Sequence, residues 1–280
     1  MRDKTYLVMA GGTGGHVYPA LATATKLIAQ HDKVVWLGSI GGMEEDIVTK
    51  AGIPFYGISI KGVRGKSWMN KFLAPLRIVY AILQSLRVII KVKPDAVLGM
   101  GGFASGPGGF AAKIMRKPLI IHEQNAVAGL TNRILATMAT SVISAFPNAF
   151  SSHVSVKLIG NPLREDICAL HYQPRKDIVK GRRVRLLVLG GSLGAASLNE
   201  TIPSAISYLD DETKPEIWHQ TGRDKDQSVK DSYQDKQIDA RVSAFISDMA
   251  EAYLWADVVI CRAGALTISE LCTVGLGAIL

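Results

Sequence analysis

Cysteine is scarce in this chain: Cys168, Cys261 and Cys272 are three thiols among 280 residues, an odd number with no C-x-x-C pair. That argues against a disulfide framework and a cysteine-built zinc site, and suits a reducing compartment. Long apolar runs are missing too. Met1-Arg2-Asp3-Lys4 leads straight into Tyr6-Leu7-Val8-Met9, without the charged region and long apolar core of a signal peptide. The most apolar longer stretch, Ile78 to Ile90, is interrupted by Gln84, Ser85 and Arg87 and is too short to span a bilayer. Low-complexity tracts are absent, and 48% hydrophobic against 20% charged residues is a globular composition, which excludes a disordered chain. Acid is under-represented, leaving a net charge of +8. An anionic partner follows: nucleic acid, a phosphorylated small molecule or an acidic membrane surface. The expectation is a cytosolic protein, at most attached to a membrane.

What is present is a rhythm of short apolar runs, glycine turns and amphipathic stretches. Tyr6–Ala10, Val34–Leu37, Ala96–Met100, Leu119–His122 and Ser141–Ser144 read as buried parallel strands. Pro19–Gln30, Glu44–Ala51 and Leu76–Lys91 read as helices between them. The pattern predicts an α/β, doubly wound sheet. Asn161-Pro162 marks a turn, the segment Leu170 to Arg185 is rich in Lys, Arg and Pro, and the rhythm restarts at Arg185–Leu189. Leu7-Val8-Met9-Ala10-Gly11-Gly12-Thr13-Gly14 and Leu187-Val188-Leu189-Gly190-Gly191-Ser192-Leu193-Gly194 open the two halves with the same device. Two domains of one type are expected, 1–160 and 161–280. The second has further strands at Glu216–Gln220, Val242–Phe245 and Val258–Cys261, and Gly277-Ala278-Ile279-Leu280 reads as the start of another buried strand. With no helix to cover it, the second domain reads as incomplete.

Four constellations carry chemistry. Gly11-Gly12-Thr13-Gly14-Gly15-His16 lies between a strand and a helix expected near Pro19, a pattern for phosphate or diphosphate. Val17 stands where a dinucleotide fingerprint needs its third glycine, and no Lys-Ser/Thr closes a Walker A loop. Gly99 to Gly109 contains six glycines in eleven residues, at the carboxyl end of a strand where open α/β sheets bind ligands. His122-Glu123-Gln124-Asn125 ends the next strand on the same rim, either to meet sugar hydroxyls and protons or as a hydrogen-bonded terminus. Arg262 to Glu270 makes another anion-receptive turn, with a helix expected from near Thr267 and Glu270 placed for a ribose diol or for the helix dipole. Asp224-x-Asp226 matches a short metal–nucleotide pattern but sits in the polar run Arg223–Asp239, which reads as a solvated loop.

Gly11–His16 with Val17-x-Pro19-Ala20, Gly101–Gly109, His122-Glu123-Gln124-Asn125, Gly160-Asn161-Pro162-x-Arg164, Gly190-Gly191-Ser192-x-Gly194-Ala195 and Ala265-Leu266-Thr267-x-Ser269-Glu270 occur in the order found in the MurG family, which this chain resembles over almost its whole length. The resemblance implies the two-domain GT-B architecture, with substrates in a cleft between Rossmann-like domains. It implies an inverting glycosyltransferase that moves N-acetylglucosamine from UDP-N-acetylglucosamine to the 4-hydroxyl of an undecaprenyl-diphosphate-linked muramyl-pentapeptide, in peptidoglycan synthesis. The first domain would then face acceptor and membrane, and the second would bind the UDP-sugar. Ser192, Ile246 and Ala265, Leu266, Thr267, Ile268, Ser269 and Glu270 would hold the uridine diphosphate part. Arg164 would assist at the diphosphate and Asn125 at the sugar, while Thr13, Gly14 and Gly15 would lie at the donor sugar and the acceptor diphosphate. Gly101, Gly102, Ser105 and Gly106 would help to hold that acceptor diphosphate. His16 would stand by the acceptor hydroxyl as general base or hydrogen-bonding partner. No metal or other cofactor is implied.

A lipid-linked acceptor implies work at the cytoplasmic face of the bacterial inner membrane, as a peripheral protein, with other wall-synthesis and division proteins as further partners. Trp68, Phe72 and Leu76 with Lys66, Lys71 and Arg77 compose a patch suited to anionic lipid. Family members continue beyond this chain with a glutamine-containing donor segment and a final helix, and usually have proline where Gly277 stands. Two alternatives stand beside this reading. One is an inactive, truncated remnant that binds UDP-sugar or lipid diphosphate without transfer. The other is a UDP-N-acetylglucosamine epimerase-like enzyme. Nucleic acid is not expected as a partner, because the basic residues are scattered.

Overall fold

A computed structural model describes residues 3–60, 74–173, 181–191 and 194–280. The chain divides into two compact units, Met1–Arg164 and Glu165–Leu280. In the first the elements are β1 (Thr5–Met9), α1 (Gly14–Ala29), β2 (Lys33–Ser39), α2 (Met43–Lys50), β3 (Phe55–Ile58), α3 (Ala74–Val92), β4 (Ala96–Gly99), α4 (Ser105–Ile114), β5 (Leu119–Glu123), α5 (Leu130–Ala136), β6 (Ser141–Ser144) and β7 (Val156–Leu158). All seven strands are parallel, in the order β3-β2-β1-β4-β5-β6-β7. Tyr6 of β1 pairs with Val34 on one side and Ala96 on the other. The sheet therefore winds away from β1 in both directions, and the gap beside β1 is where such sheets bind ligands.

Strand side chains alternate between two buried faces. Leu7 and Met9 join one core with Ala81 and Ile89 of α3, Ala111 of α4 and Leu135 of α5. Val8 and Ala10 join the other with Val17 and Ala20 of α1 and Val48 of α2. Burial on both faces is why β1 reads as a continuous apolar run.

The second unit runs α6 (Glu165–Leu170), β8 (Arg185–Leu189), α7 (Ala196–Ser207), β9 (Glu216–Gln220), α8 (Asp226–Gln234), β10 (Ala240–Ser243), α9 (Met249–Trp255), β11 (Val258–Cys261), α10 (Ala265–Val274) and β12 (Ala278–Ile279). Its parallel order is β10-β9-β8-β11-β12, so β8 occupies the place that β1 holds in the first sheet. Leu187 and Leu189 face one core, Leu186 and Val188 the other. Each half is thus a doubly wound α/β unit, the class expected from the sequence.

Three local expectations are corrected. The polar run Arg223–Asp239 is not a solvated loop throughout, because α8 begins at Asp226 and buries Val229 and Tyr233, one helical turn apart. The strand expected at Val242–Phe245 lies earlier, at Ala240–Ser243. β12 pairs with β11, yet its side chains are exposed, with Ile279 60% accessible. Among the described residues no helix is long and apolar enough to cross a membrane.

Candidate active site

In the first unit the carboxyl ends of β1, β4 and β5 present the candidate residues. α1 begins at Gly14, not near Pro19, which lies inside the helix and is buried. Proline is favoured at the first helical position, which is why Pro19 reads as a helix start in the sequence. The start is instead set by Thr13, an extended residue (φ −141°, ψ 157°) whose side chain makes no capping bond. Gly14, Gly15 and His16 form the first turn; the His16 N–H already donates to Thr13 O at 3.1 Å, while the N–H groups of Gly14 and Gly15 lack acceptors within the helix and favour an anion. Thr13 and Gly15 are exposed.

Behind this turn lies Glu44, fully buried in the first turn of α2. Its Oε1 accepts the Ser39 N–H at 2.9 Å and its Oε2 the Gly12 N–H at 3.2 Å. Gly42 and Gly11 leave room for it: a Cβ at Gly42 would lie 2.5 Å from the carboxyl carbon, and one at Gly11 would be 2.7 Å away. Sequence reasoning missed this carboxylate, since Glu44 carries only the ordinary acidic signal of a helix start.

The glycine stretch after β4 is not one loop. Ser105 to Gly109 form the opening of α4, a helix that tolerates Gly106, Gly108 and Gly109 because its backbone must come close to its neighbours. A Cβ at Gly108 would reach 2.8 Å from Leu37, and one at Gly109 2.5 Å from Leu135. Ser105 is fully buried and its hydroxyl donates to the carbonyls of Met9 (3.0 Å) and Gly101 (2.7 Å). Its side chain therefore serves the fold, and only the backbone of this turn is free for an acceptor diphosphate. Gly101 (φ 95°) and Gly102 (φ 87°) are left-handed, and a Cβ on Gly101 would lie 2.7 Å from His16 Nδ1.

The strand end His122-Glu123-Gln124-Asn125 splits by role. His122 is buried, its Nε2 2.9 Å from the Gly160 carbonyl, and desolvation holds its pKa below the usual imidazole value. Glu123 is buried and accepts four bonds, from Asn125 N and Nδ2, Gly129 N and Asn132 Nδ2. The buried Gln124 places Oε1 2.9 Å from His16 Nδ1. Only Asn125 is exposed. Three of the four residues therefore build the rim, and one is offered at it. Arg164 closes the unit with its guanidinium carbon 5.7 Å from the Tyr18 ring centroid, which ties it to α1.

In the second unit α10 begins at Ala265, two residues before the expected start, after an extended Gly264. The first turn, Ala265 to Thr267, is half-buried, and Ile268 N is already bonded to Gly264 O. Ser269 donates its hydroxyl to Ala265 O within the helix. Glu270 is 7% exposed and its Oε2 accepts the Tyr253 hydroxyl at 2.8 Å. Tyr253 comes from α9, whose start is fixed by Asp248 accepting the Glu251 N–H at 2.8 Å. Ile246 is buried in the core, so only its backbone is available to a nucleotide. Gly190 and Gly194 press on Gln220 and Thr221: a Cβ at Gly190 would be 3.0 Å from Gln220 O. Ser192 lies outside the described residues. Among the described residues no three His, Cys, Asp or Glu side chains converge to hold a metal ion.

Two Rossmann-like units, each with a glycine turn and a helix N-terminus at the carboxyl rim beside its central strand, are the architecture of the GT-B class. Residues 6–144 match the glycosyltransferase family 28 N-terminal domain and residues 185–280 the family's C-terminal domain. The UDP-N-acetylglucosamine--N-acetylmuramyl-(pentapeptide) pyrophosphoryl-undecaprenol N-acetylglucosamine transferase of Hahella chejuensis is 52% identical over 280 residues, all of this chain and 78% of the relative. Its counterpart in Cellvibrio japonicus is 50% identical over 287 residues, with the same coverage. The crystal structure of Acinetobacter baumannii MurG superposes with a TM-score of 0.78 at 41% identity, covering 98% of this chain and 77% of that one. The chain belongs to the MurG family of glycosyltransferases.

Proposed function

We propose that this protein transfers N-acetylglucosamine from UDP-N-acetylglucosamine to the muramyl 4-hydroxyl of an undecaprenyl-diphosphate-linked pentapeptide, in peptidoglycan synthesis. The observation that carries it is 52% identity along the whole chain to a transferase of that name. The first unit takes the acceptor and the second the UDP-sugar.

His16 accepts the proton of the attacking hydroxyl as the anomeric carbon–oxygen bond to uridine diphosphate breaks, with inversion and no covalent intermediate. Thr13, Gly14 and Gly15 face the donor sugar and the acceptor diphosphate, the backbones of Gly101, Gly102, Ser105 and Gly106 hold that diphosphate, and Asn125 meets the sugar. Arg164 and the first turn of α10 offset charge on the leaving diphosphate, while Ile246 contributes its backbone and Glu270 accepts from the ribose. Transfer of labelled sugar to a short-chain acceptor, lost in His16→Ala and Glu270→Ala, is the expected result. Full transfer by both variants would overturn these roles.

The acceptor's lipid places the enzyme at the cytoplasmic face of the plasma membrane, with cell shape and division depending on its product. What supports this is the outer face of α3, where Leu76, Val79, Tyr80, Leu83 and Ile90 are each at least 50% exposed. The helix has no acidic residue, and Arg77, Arg87 and Lys91 lie among them. Trp68, Phe72, Lys66 and Lys71 lie outside the described residues.

A further inference from the structure

We infer that Gln124 is a positioning residue that fixes the tautomer and orientation of His16, an inference that rests on reading His16 as the group that takes the acceptor proton. Gln124 is 1% exposed, and its Oε1 lies 2.9 Å from His16 Nδ1. The other wall of the imidazole is Gly101, where even a methyl group would sit 2.7 Å from Nδ1. The glutamine is itself held: its backbone carbonyl accepts from Asn161 Nδ2 at 3.1 Å. That bond ties the end of the first unit to the strand end that carries the side chain.

An amide oxygen only accepts, so the Nδ1 facing it carries the hydrogen. Neutral imidazole has one N–H, and the lone pair is therefore on Nε2, at the far edge of the ring, as a base requires. The amide reversed would donate to Nδ1 and move the ring hydrogen to Nε2, leaving no outward lone pair. The arrangement also costs the fold something: Gln124 Nε2 is buried with no partner among the described residues. An apolar side chain of similar length would bury no orphan donor. The amide is explained by what its oxygen holds.

Nitrogen-15 NMR of histidine-labelled full chain tests this without activity, beside transfer kinetics against pH. In the wild type, neutral His16 carries its hydrogen on Nδ1. Gln124→Met mixes the tautomers and lowers kcat roughly 10- to 100-fold, with KM for both substrates unchanged. Gln124→Glu keeps an acceptor oxygen, so it retains the Nδ1–H tautomer and recovers much of the lost rate. Its charge moves the acid limb of kcat/KM up by roughly one pH unit, which a merely structural role would not do. A wild-type hydrogen on Nε2, or a Gln124→Met protein with unchanged tautomer and kcat, overturns the inference. Full transfer by His16→Ala would instead overturn the reading of His16 as base and leave the tautomer result to stand by itself.

Discussion

Tyr253 donates its hydroxyl to Glu270 Oε2 at 2.8 Å, with both side chains buried. The bond holds the carboxylate that is assigned to the ribose. Tyr253→Phe removes this hydroxyl donor, so Glu270 loses a restraint. The expected result is a donor KM raised roughly three- to tenfold, equivalent to about 1 kcal/mol, with kcat close to unchanged. A fall in kcat at constant KM would mean that Glu270 acts on the transition state and not on donor binding.

Glu44 supports the glycine turn after β1 from behind. Glu44→Ala leaves the N–H groups of Ser39 and Gly12 without their acceptor in a buried place and opens a cavity, so stability falls by about 2–4 kcal/mol. Urea unfolding measures it. A loss below about 1 kcal/mol would show that water replaces the carboxylate.

Two glycines of the same stretch separate fold from site. Gly102 has φ 87°, and an added Cβ would lie 2.8 Å from the Gly11 nitrogen, backbone against backbone. Gly102→Ala is expected to cost about 2–4 kcal/mol. Gly106 meets nothing closer than Thr131 Cγ2 at 3.6 Å, so Gly106→Ala keeps the fold. If the first turn of α4 holds the acceptor diphosphate, that variant raises the acceptor KM and leaves the donor KM alone. Unchanged acceptor kinetics would remove this turn from the site.

Stability should decline in mild acid. His219 is buried beside Tyr233, with Nδ1 3.0 Å from the hydroxyl, and burial lowers its pKa from 6.5 to about 4. Below pH 6.5 the unfolded chain takes up a proton that the folded protein refuses, so this contribution is fully present above pH 6.5 and is lost as pH falls toward 4. The whole effect is at most about 3 kcal/mol. His219→Gln, which cannot titrate, should flatten the dependence of the urea midpoint over that window. An equal slope in the variant would assign the effect elsewhere, with His122, whose pKa burial also lowers, the next group to replace.

The exposed face of α3 is the surface to challenge for lipid. Val79→Glu with Leu83→Glu puts two negative charges where both side chains are at least half exposed, so the fold is expected to survive. Binding to anionic vesicles should fall at least roughly tenfold, while transfer to a short-chain acceptor stays unchanged. Undiminished vesicle binding would move the contact away from this helix.

The doubly wound class and the central strands were legible because a strand buried on both faces leaves an unbroken apolar run, as Leu7-Val8-Met9 does. Helix starts were less so. Gly14 and Ser105 begin helices inside runs of glycine, where propensity argues for a loop; at Ser105 the packing of Gly108 and Gly109 against Met9, Leu37 and Leu135 decides otherwise. His122-Glu123-Gln124-Asn125 marked the carboxyl end of β5, but not that three of its side chains are buried in the fold. Glu44, Tyr18 and Tyr253 left no usable signal. Each acts across a contact remote in sequence, which no local pattern encodes.

The glycine-built opening of α4 also bears on how the chain reaches its fold. A turn with Gly106, Pro107, Gly108 and Gly109 has little tendency to form alone, and its packing surface exists only once β1 lies beside β4. That pairing joins Tyr6 to Ala96, with α1, β2, α2, β3 and α3 in the loop it closes. The closure entropy comes first and the compensating contacts afterwards. On a ribosome, the first strand to emerge waits for the fourth before its sheet can close around it, and the turn proposed to hold the acceptor diphosphate is among the last pieces to order. Refolding of the first unit should therefore be slow, with α4 protected late in pulsed hydrogen exchange.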